Sequence, residues 1–68
     1  MALSARNQLK GTVKSIKKDA IMAEVVVELP GGQEIVSVIT TTSAETLGVS
    51  EGKEITVVIK STEVMLSN

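Results

Sequence analysis

The sequence predicts an all-β fold, a small barrel of five strands with one short helix between strands 3 and 4. Three observations lead to this class. Ile, Val and Thr, whose branched side chains suit pleated strands, supply 23 of the 68 residues. Several segments alternate apolar and polar residues with a period of two. One segment interrupts that alternation with helix start and stop signals.

The first two predicted strands each have one apolar face. They span residues 8–16 and 21–29, with a turn at Lys17-Lys18-Asp19 between them. Their apolar residues recur at every second position, as expected for strands with one buried face. The positions expected to face the core are Leu9, Gly11, Val13, Ile21, Ala23, Val25, Val27 and Leu29.

The third predicted strand differs from the first two. Pro30-Gly31-Gly32 is a strong hairpin signal and leads into a strand over residues 34–41. Its apolar residues occupy both faces, with Ile35 and Ile39 on one and Val36 and Val38 on the other. This pattern predicts burial on both sides of the strand.

The helix and the last two strands complete the element order. Thr42-Ser43-Ala44-Glu45 fits a capping box, and Leu47-Gly48-Val49 fits a helix stop. A turn over residues 50–53 precedes a fourth strand over residues 54–60, and a short fifth strand follows over residues 62–66. Three strands, a helix and two strands are the element order of an OB-like Greek-key barrel. An SH3-like barrel is the nearest alternative.

The chain is short for a stable monomer. Residues 1–68 leave room for a single domain. Below roughly 70–80 residues one core rarely supplies more than about 3–5 kcal/mol. The sequence has no Cys for disulfides and no large aromatic side chain for its core. We therefore expect a homo-oligomer that buries apolar surface between subunits, with a marginally stable monomer as the alternative.

The composition argues against several classes of function. The absence of Cys and His removes the usual zinc and copper ligands and the commonest general base. The absence of aromatic residues and a net charge of −1 argue against nucleic-acid binding. No apolar stretch approaches the length of a membrane span, and the first six residues do not resemble a signal peptide. We expect a cytoplasmic protein that is not an enzyme and binds neither nucleic acid nor membrane.

Small hydrogen-bond donors are grouped at the ends of the predicted strands and at the start of the helix. They form three clusters, consisting of Ser4 and Arg6, of Thr40, Thr41, Thr42 and Ser43, and of Lys60, Ser61 and Thr62. A guanidinium, an ammonium and several hydroxyls, with the backbone N–H groups of the helix start, suit a small oxyanion. Spacing alone favours an ordinary role in caps and turns, and it does not bring the clusters together.

The same segments resemble one family. Ser4-Ala5-Arg6-Asn7 followed by Gly11, then Leu47-Gly48-Val49 and Lys60-Ser61-Thr62, is similar to the signature of the molbindins, the small molybdate-binding Mop proteins. The resemblance implies an OB-like barrel assembled as a hexamer, a trimer of dimers. It also implies that molybdate or tungstate is bound in pockets between subunits. The residues that match the oxyanion site are Ser4, Ala5, Arg6, Thr40, Ser43, Lys60 and Ser61.

The chemistry of such a ligand is consistent with these residues. Molybdate carries no proton near neutral pH, so a pocket made of donors alone satisfies it. Monohydrogen phosphate would bring one unmatched proton, and an unmatched buried polar group costs about 1–3 kcal/mol. We therefore expect intracellular binding and storage of molybdate or tungstate, with no catalytic cofactor and with metal entering only as the oxyanion. The alternatives are molybdopterin binding, a nucleic-acid-binding OB module, and a ligand-free module that docks to a transporter or regulator.

Overall fold

The computed structural model describes residues 3–68 of the chain. In this part the elements are β1 (Asn7–Lys18), β2 (Met22–Glu28), β3 (Glu34–Thr40), α1 (Thr41–Leu47) and β4 (Glu54–Ile59). A single turn of 3-10 helix, Ser61–Glu63, follows β4. The predicted all-β class, with its short helix between the third and fourth strands, is confirmed.

One antiparallel sheet joins the four strands in the order β3-β2-β1-β4. The long strand β1 is central to it. Its first half pairs with β4, from Asn7 opposite Ile59 to Thr12 opposite Glu54. Its second half pairs with β2 and ends with Lys18 opposite Ala23, after a register shift between Val13 and Ser15. Because such an irregularity bends a strand, β1 can serve two neighbours at its two ends.

Gly11 marks a point of close approach in β1. A Cβ at this position would lie 2.6 Å from Cγ1 of Val27 and 2.7 Å from the carbonyl oxygen of Glu28. Real Cβ atoms do not tolerate such distances, so the close approach of β1 to the end of β2 requires glycine.

The core is small and aliphatic. Its buried members are Val13, Ala23, Val25, Val27 and Ala44. Half-buried side chains from β1, β3, β4 and the segment after α1 pack around it, namely Ile16, Ile39, Val49, Ile55 and Val57. The predicted inward positions of the second strand are correct at Ala23, Val25 and Val27. Ile21 is an exception, since it lies in the turn before β2 and is 71% exposed.

The predicted fifth strand is not formed in the single chain. Ser61–Glu63 is a 3-10 turn, and residues 64–68 have no regular structure. Met65 and Leu66 are each 93% exposed. A strand needs a neighbour for its backbone hydrogen bonds, and this segment has none within the part of the chain described.

Two predicted boundaries are also wrong. The turn after β1 lies at residues 19–21 instead of 17–19, because β1 continues to Lys18. The helix begins two residues earlier than the capping box at Thr42 indicated. Its N-cap is Thr40, whose side chain accepts a hydrogen bond from the N–H of Ser43.

The predicted helix stop is confirmed. Gly48 has φ 67°, and its N–H donates to the carbonyl of Glu45 at 3.0 Å. The N–H of Val49 donates to the carbonyl of Ala44, also at 3.0 Å. These two bonds are the pair that defines a Schellman motif, and the left-handed φ explains why glycine stands there.

The outer face of β3 remains exposed. Val36 is 60% exposed and Val38 is 61% exposed, whereas Ile35 and Ile39 on the inner face are half-buried. The expectation that β3 is buried on both faces is therefore not met within one chain. Among residues 3–68, no helix has the length and apolarity needed to cross a bilayer.

Candidate functional site

Two of the three donor clusters lie at the same end of the sheet. Asn7 of β1 pairs with Ile59 of β4, and this is the last pair of that ladder. Arg6 precedes Asn7 and Lys60 follows Ile59, so the two cations lie one residue beyond the same pair. Their near neighbours Ser4 and Ser61 are also exposed. We call Ser4, Arg6, Lys60 and Ser61 the cation cluster.

The two positive charges of this cluster are not neutralised by the described part of the chain. Within residues 3–68, the only ion pair joins Lys14 to Glu34. This contact raises the pKa of Lys14, mainly because its ammonium donates to the Glu34 carboxylate. Neither Arg6 nor Lys60 has such a partner there. Their charges are therefore available to an external anion.

Ala5 contributes to this end of the sheet through its backbone. It is half-buried, and its carbonyl accepts a hydrogen bond of 2.8 Å from the side-chain amide of Gln8. Its methyl group offers no donor, so only its backbone N–H could bind an anion. Gln8 was not identified from the sequence as a functional residue. Its side-chain amide, three residues after Ala5, is well placed to close such a turn.

In the remaining donor cluster, residues 40–43, two hydroxyl groups are hydrogen-bonded to each other. Oγ1 of Thr40 accepts from the backbone N–H of Ser43 at 3.0 Å and donates to Oγ of Ser43 at 2.8 Å. The Ser43 hydroxyl proton is therefore left to donate outward. Both residues are exposed. We call Thr40 and Ser43 the hydroxyl pair.

The other members of this cluster have different surroundings. Thr41 is half-buried, and its hydroxyl donates to the carbonyl of Asp19 at 2.9 Å, so it faces the fold. Thr42 is exposed on the first turn of α1. The hydroxyl pair is thus the part of the cluster that can offer a donor while being held in place.

The cation cluster and the hydroxyl pair lie at opposite ends of β1. Thr40 pairs with Met22, next to the Lys18–Ala23 pair that ends β1, whereas the cation cluster lies beyond Asn7. At about 3.3 Å per residue, the strand path from Asn7 to Lys18 is about 36 Å. One chain therefore unites two of the three predicted donor clusters and leaves the third apart.

Asp19 is a residue of this region that the sequence did not single out. Its Oδ1 accepts hydrogen bonds of 2.8 Å from the backbone N–H groups of Ile21 and Met22. These bonds lower the pKa of Asp19, the one from Met22 most strongly. An Asp followed by a short break between two strands is a recognisable signal for such a turn.

The structure also contains an apolar groove, which is separate from both clusters. It lies between β3 and β4, the two edge strands, and has a volume of about 310 Å³. Its lining includes Ile39, Leu47, Ile55 and Val57. A search of residues 3–68 for three or more Asp, Glu, Cys or His side chains close enough to hold a metal ion finds none.

Comparison with known proteins identifies a matching domain family and relatives with a similar sequence and fold. Residues 3–66 match the TOBE domain. The chain is 59% identical, over 97% of both chains, to molybdenum-pterin-binding protein 1 of Clostridium pasteurianum. A molybdate-binding protein from Sporomusa ovata has the same fold, with a TM-score of 0.92 and 37% identity over the whole of both chains.

A third relative has been solved with its ligand. The structure of the cytoplasmic molybdate-binding protein ModG with molybdate bound matches with a TM-score of 0.84 and 47% identity. The match covers 88% of this chain and 43% of that one. The resemblance inferred from the signature segments is thus confirmed: the chain belongs to the TOBE domain family and, within it, to the molbindins, the molybdenum-pterin-binding or Mop proteins.

Proposed function

We propose that the protein binds molybdate or tungstate in pockets formed between the subunits of a homo-oligomer. The observation that carries this proposal is the cation cluster, which places Arg6 and Lys60 at one end of the sheet without a carboxylate partner among residues 3–68. Relatives described as molybdate-binding, 37% and 47% identical to this chain, support the choice of ligand. Binding and storage of the oxyanion in the cytoplasm, without catalysis, is the role we infer.

The donor set accounts for selectivity among oxyanions. Arg6 and Lys60 supply charge-assisted hydrogen bonds, which contribute about 1.5–3 kcal/mol each. Ser4, Ser61 and the hydroxyl pair add neutral donors around the remaining oxygens. The guanidinium and the ammonium cannot accept the proton of monohydrogen phosphate, which leaves only hydroxyl oxygens to receive it. Sulfate also lacks a proton, so size must exclude it.

The position of the hydroxyl pair is the reason for placing the pocket between subunits. It lies at the far end of β1 from the cation cluster, along a strand path of about 36 Å. A tetrahedral oxyanion is only a few ångströms across, much less than the strand path between the two groups, so we place the two groups on different subunits. A second copy arranged antiparallel to the first would bring its hydroxyl pair to the cation cluster. A two-fold axis would then generate two equivalent pockets.

The exposed apolar surface supports an oligomer independently. Val36 and Val38 on the outer face of β3, with Met65 and Leu66 near the end of the chain, are 60%, 61%, 93% and 93% exposed. The buried core is small, and β3 and β4 are both free edges of the sheet. Contact between copies would bury these side chains and could supply a neighbour for residues 62–66. A hexamer built as a trimer of dimers, with five-stranded Greek-key barrels, remains our prediction for the assembly.

Native mass spectrometry with and without molybdate tests both ligand and assembly. We expect a hexamer that retains several molybdates or tungstates and does not retain sulfate under the same conditions. Titration calorimetry then tests the site. Arg6→Ala should weaken molybdate binding by at least about tenfold, the effect of one charge-assisted bond. Lys10→Ala is the matched control, because it removes an exposed cation of β1 outside the cluster and should leave the affinity unchanged.

Two results would contradict the proposal. Unchanged affinity in Arg6→Ala would remove the cation cluster from the site. A monomer indifferent to molybdate would overturn the function itself and leave an interaction module that docks to a transporter or regulator.

A molybdenum-bearing pterin is the second candidate ligand. The name of the Clostridium relative couples the metal to a pterin, and the groove between β3 and β4 is apolar and large enough for a small ring system. The groove has no aromatic side chain to stack on a pterin, since the sequence contains none. Titration with pterin-6-carboxylate and with molybdate separates the two. Binding of molybdate alone supports the oxyanion, whereas binding of the pterin alone supports the second candidate.

A further inference from the structure

We infer that Asp19 is a positioning residue for the oxyanion site, acting through the turn that it closes between β1 and β2. This inference rests on the proposed function, since it concerns how the hydroxyl pair is held ready for the anion. Asp19 itself offers no donor to an anion. Its role is to hold the backbone that carries Thr40.

The carboxylate of Asp19 organises the whole turn. One oxygen accepts from two successive backbone N–H groups, those of Ile21 and Met22, both at 2.8 Å. The N–H of Asp19 donates to the carbonyl of Met22 at 3.0 Å, which closes the turn from its other side. These three hydrogen bonds lie within residues 19–22. They fix the directions in which the carbonyl groups of Asp19 and Ile21 point.

Two of those carbonyl groups hold the start of α1. The backbone N–H of Thr41 donates to the carbonyl of Ile21 at 2.7 Å. The hydroxyl of Thr41 donates to the carbonyl of Asp19 at 2.9 Å. Thr41 is therefore bound twice to the turn, once through its backbone and once through its side chain.

Thr40 is held on both sides as a result. Its neighbour in the chain, Thr41, is tied to the turn, and its partner across the sheet is Met22, the residue whose N–H the Asp19 carboxylate accepts. The hydroxyl of Thr40 in turn orients that of Ser43. A chain of hydrogen bonds thus runs from the Asp19 carboxylate to the donor that we assign to the anion. A shift of a few tenths of an ångström at its origin would misdirect that donor.

Two substitutions at position 19 separate positioning from charge. Asp19→Ala removes the acceptor, and we expect molybdate affinity to fall about three- to tenfold, the effect of one misplaced hydrogen bond. Asp19→Asn keeps a side-chain oxygen that can accept the same two N–H bonds. It should restore affinity to within about twofold of the wild type. Glu51→Ala is the control, because it removes an exposed carboxylate from a different turn.

Amide hydrogen exchange without ligand supplies the readout that affinity alone does not. The N–H of Ser43 is bonded to Thr40, so its exchange reports on the hydroxyl pair directly. We expect faster exchange at Ser43 in Asp19→Ala and recovery in Asp19→Asn. If Asp19→Ala does not fold, Thr41→Val against Thr41→Ser breaks the same link at its other end, and only Thr41→Val should weaken binding.

The possible failures are distinguishable. If the wild type does not bind molybdate, the proposed function fails and this inference fails with it. If the wild type binds and Arg6→Ala weakens binding, but Asp19→Ala leaves both affinity and Ser43 exchange unchanged, the inference alone is overturned. It is also overturned if Asp19→Asn is as weak as Asp19→Ala, because charge and not the turn would then be responsible.

Discussion

The two ends of β1 carry donors of opposite character. At one end, the cation cluster lies on segments outside the sheet, with Ser4, Arg6 and Lys60 exposed beyond the last pair of the ladder. At the other end, Thr40 and Ser43 are bonded to each other and are held by a closed turn. The first end offers cationic donors on segments outside the sheet, and the second offers neutral hydroxyl donors held by a closed turn.

This difference implies that the two ends contribute to anion binding in different ways within the proposed pocket. The cations supply most of the binding energy, because charge-assisted hydrogen bonds are about twice as strong as neutral ones. The hydroxyl pair supplies geometry, since its donor direction is already set before the anion arrives. In our proposal the two ends belong to different copies. Only the assembled oligomer then combines the strong cationic donors with the oriented hydroxyl donor in one pocket.

The largest expected effect is the loss of the cation end. The double substitution of Arg6→Ala and Lys60→Ala removes both charge-assisted bonds and should weaken molybdate binding more than about a hundredfold. The hydroxyl pair lies at the other end of β1, so amide exchange at Ser43 should keep its wild-type rate. Calorimetry and hydrogen exchange on the same sample check both statements. The double variant Lys10→Ala with Lys53→Ala is the charge-matched control.

The strand between the two ends is the next target. Gly11→Ala forces a Cβ against Val27 and Glu28 and should lower the free energy of unfolding by about 1–3 kcal/mol, the usual cost of overpacking. Both ends should be affected together, because they share β1. Urea unfolding measures the loss, with Thr12→Ala at the exposed neighbouring position as control. Equal stability of the two variants would show that the close approach at Gly11 is dispensable.

A substitution at the hydroxyl end should have a smaller effect on molybdate binding than the loss of the cations. It should lower both the stability and the affinity. Thr40→Val removes the N-cap of α1, which costs about 0.5–2 kcal/mol of stability, and also misdirects Ser43. Molybdate affinity should fall by about three- to tenfold. Thermal unfolding and calorimetry measure the two effects, and Thr46→Ala on the last turn of α1 should produce neither. If Thr40→Val binds as tightly as the wild type, the hydroxyl pair does not belong to the pocket.

The smallest expected effect concerns pH. Backbone hydrogen bonds lower the pKa of Asp19 in the folded state, so its contribution to stability is present above the ordinary Asp pKa of about 3.9. That contribution is lost as the pH falls through the lowered folded-state pKa. Wild type should therefore lose stability on acidification relative to Asp19→Asn, which does not titrate. Urea unfolding at neutral and acidic pH measures this difference, and a constant difference would contradict it.

The sequence predicted those parts of the fold that depend on neighbours in the chain. The alternation at Ala23, Val25 and Val27 identified the inner face of β2, and Gly48 identified the end of α1, because both signals are local. The start of the helix was misplaced because four successive hydroxyl residues can each act as an N-cap. Contacts between distant parts of the chain select Thr40, which pairs with Met22 across the sheet while Thr41 is bonded to the turn before β2.

The remaining errors concern features that the described chain does not complete on its own. Val36, Val38 and residues 62–66 have the pattern of buried strands, yet they are exposed here because one copy provides nothing to cover them. The same limit applies to the candidate site. Composition indicated the three donor clusters, but only the strand register shows that two of them meet and that the third lies at the opposite end of β1.

The central claim is that each pocket takes its cations from one subunit and its hydroxyl pair from another, and mixed oligomers test it most directly. One variant carries Arg6→Ala with Lys60→Ala, and the other carries Thr40→Ala with Ser43→Ala. Each alone should bind molybdate weakly. Refolded together in equal amounts, they should regain wild-type affinity in about one quarter of the pockets, the fraction in which both intact halves meet by chance. A mixture that binds only as the sum of its two components would contradict the claim, because both halves would then belong to the same chain.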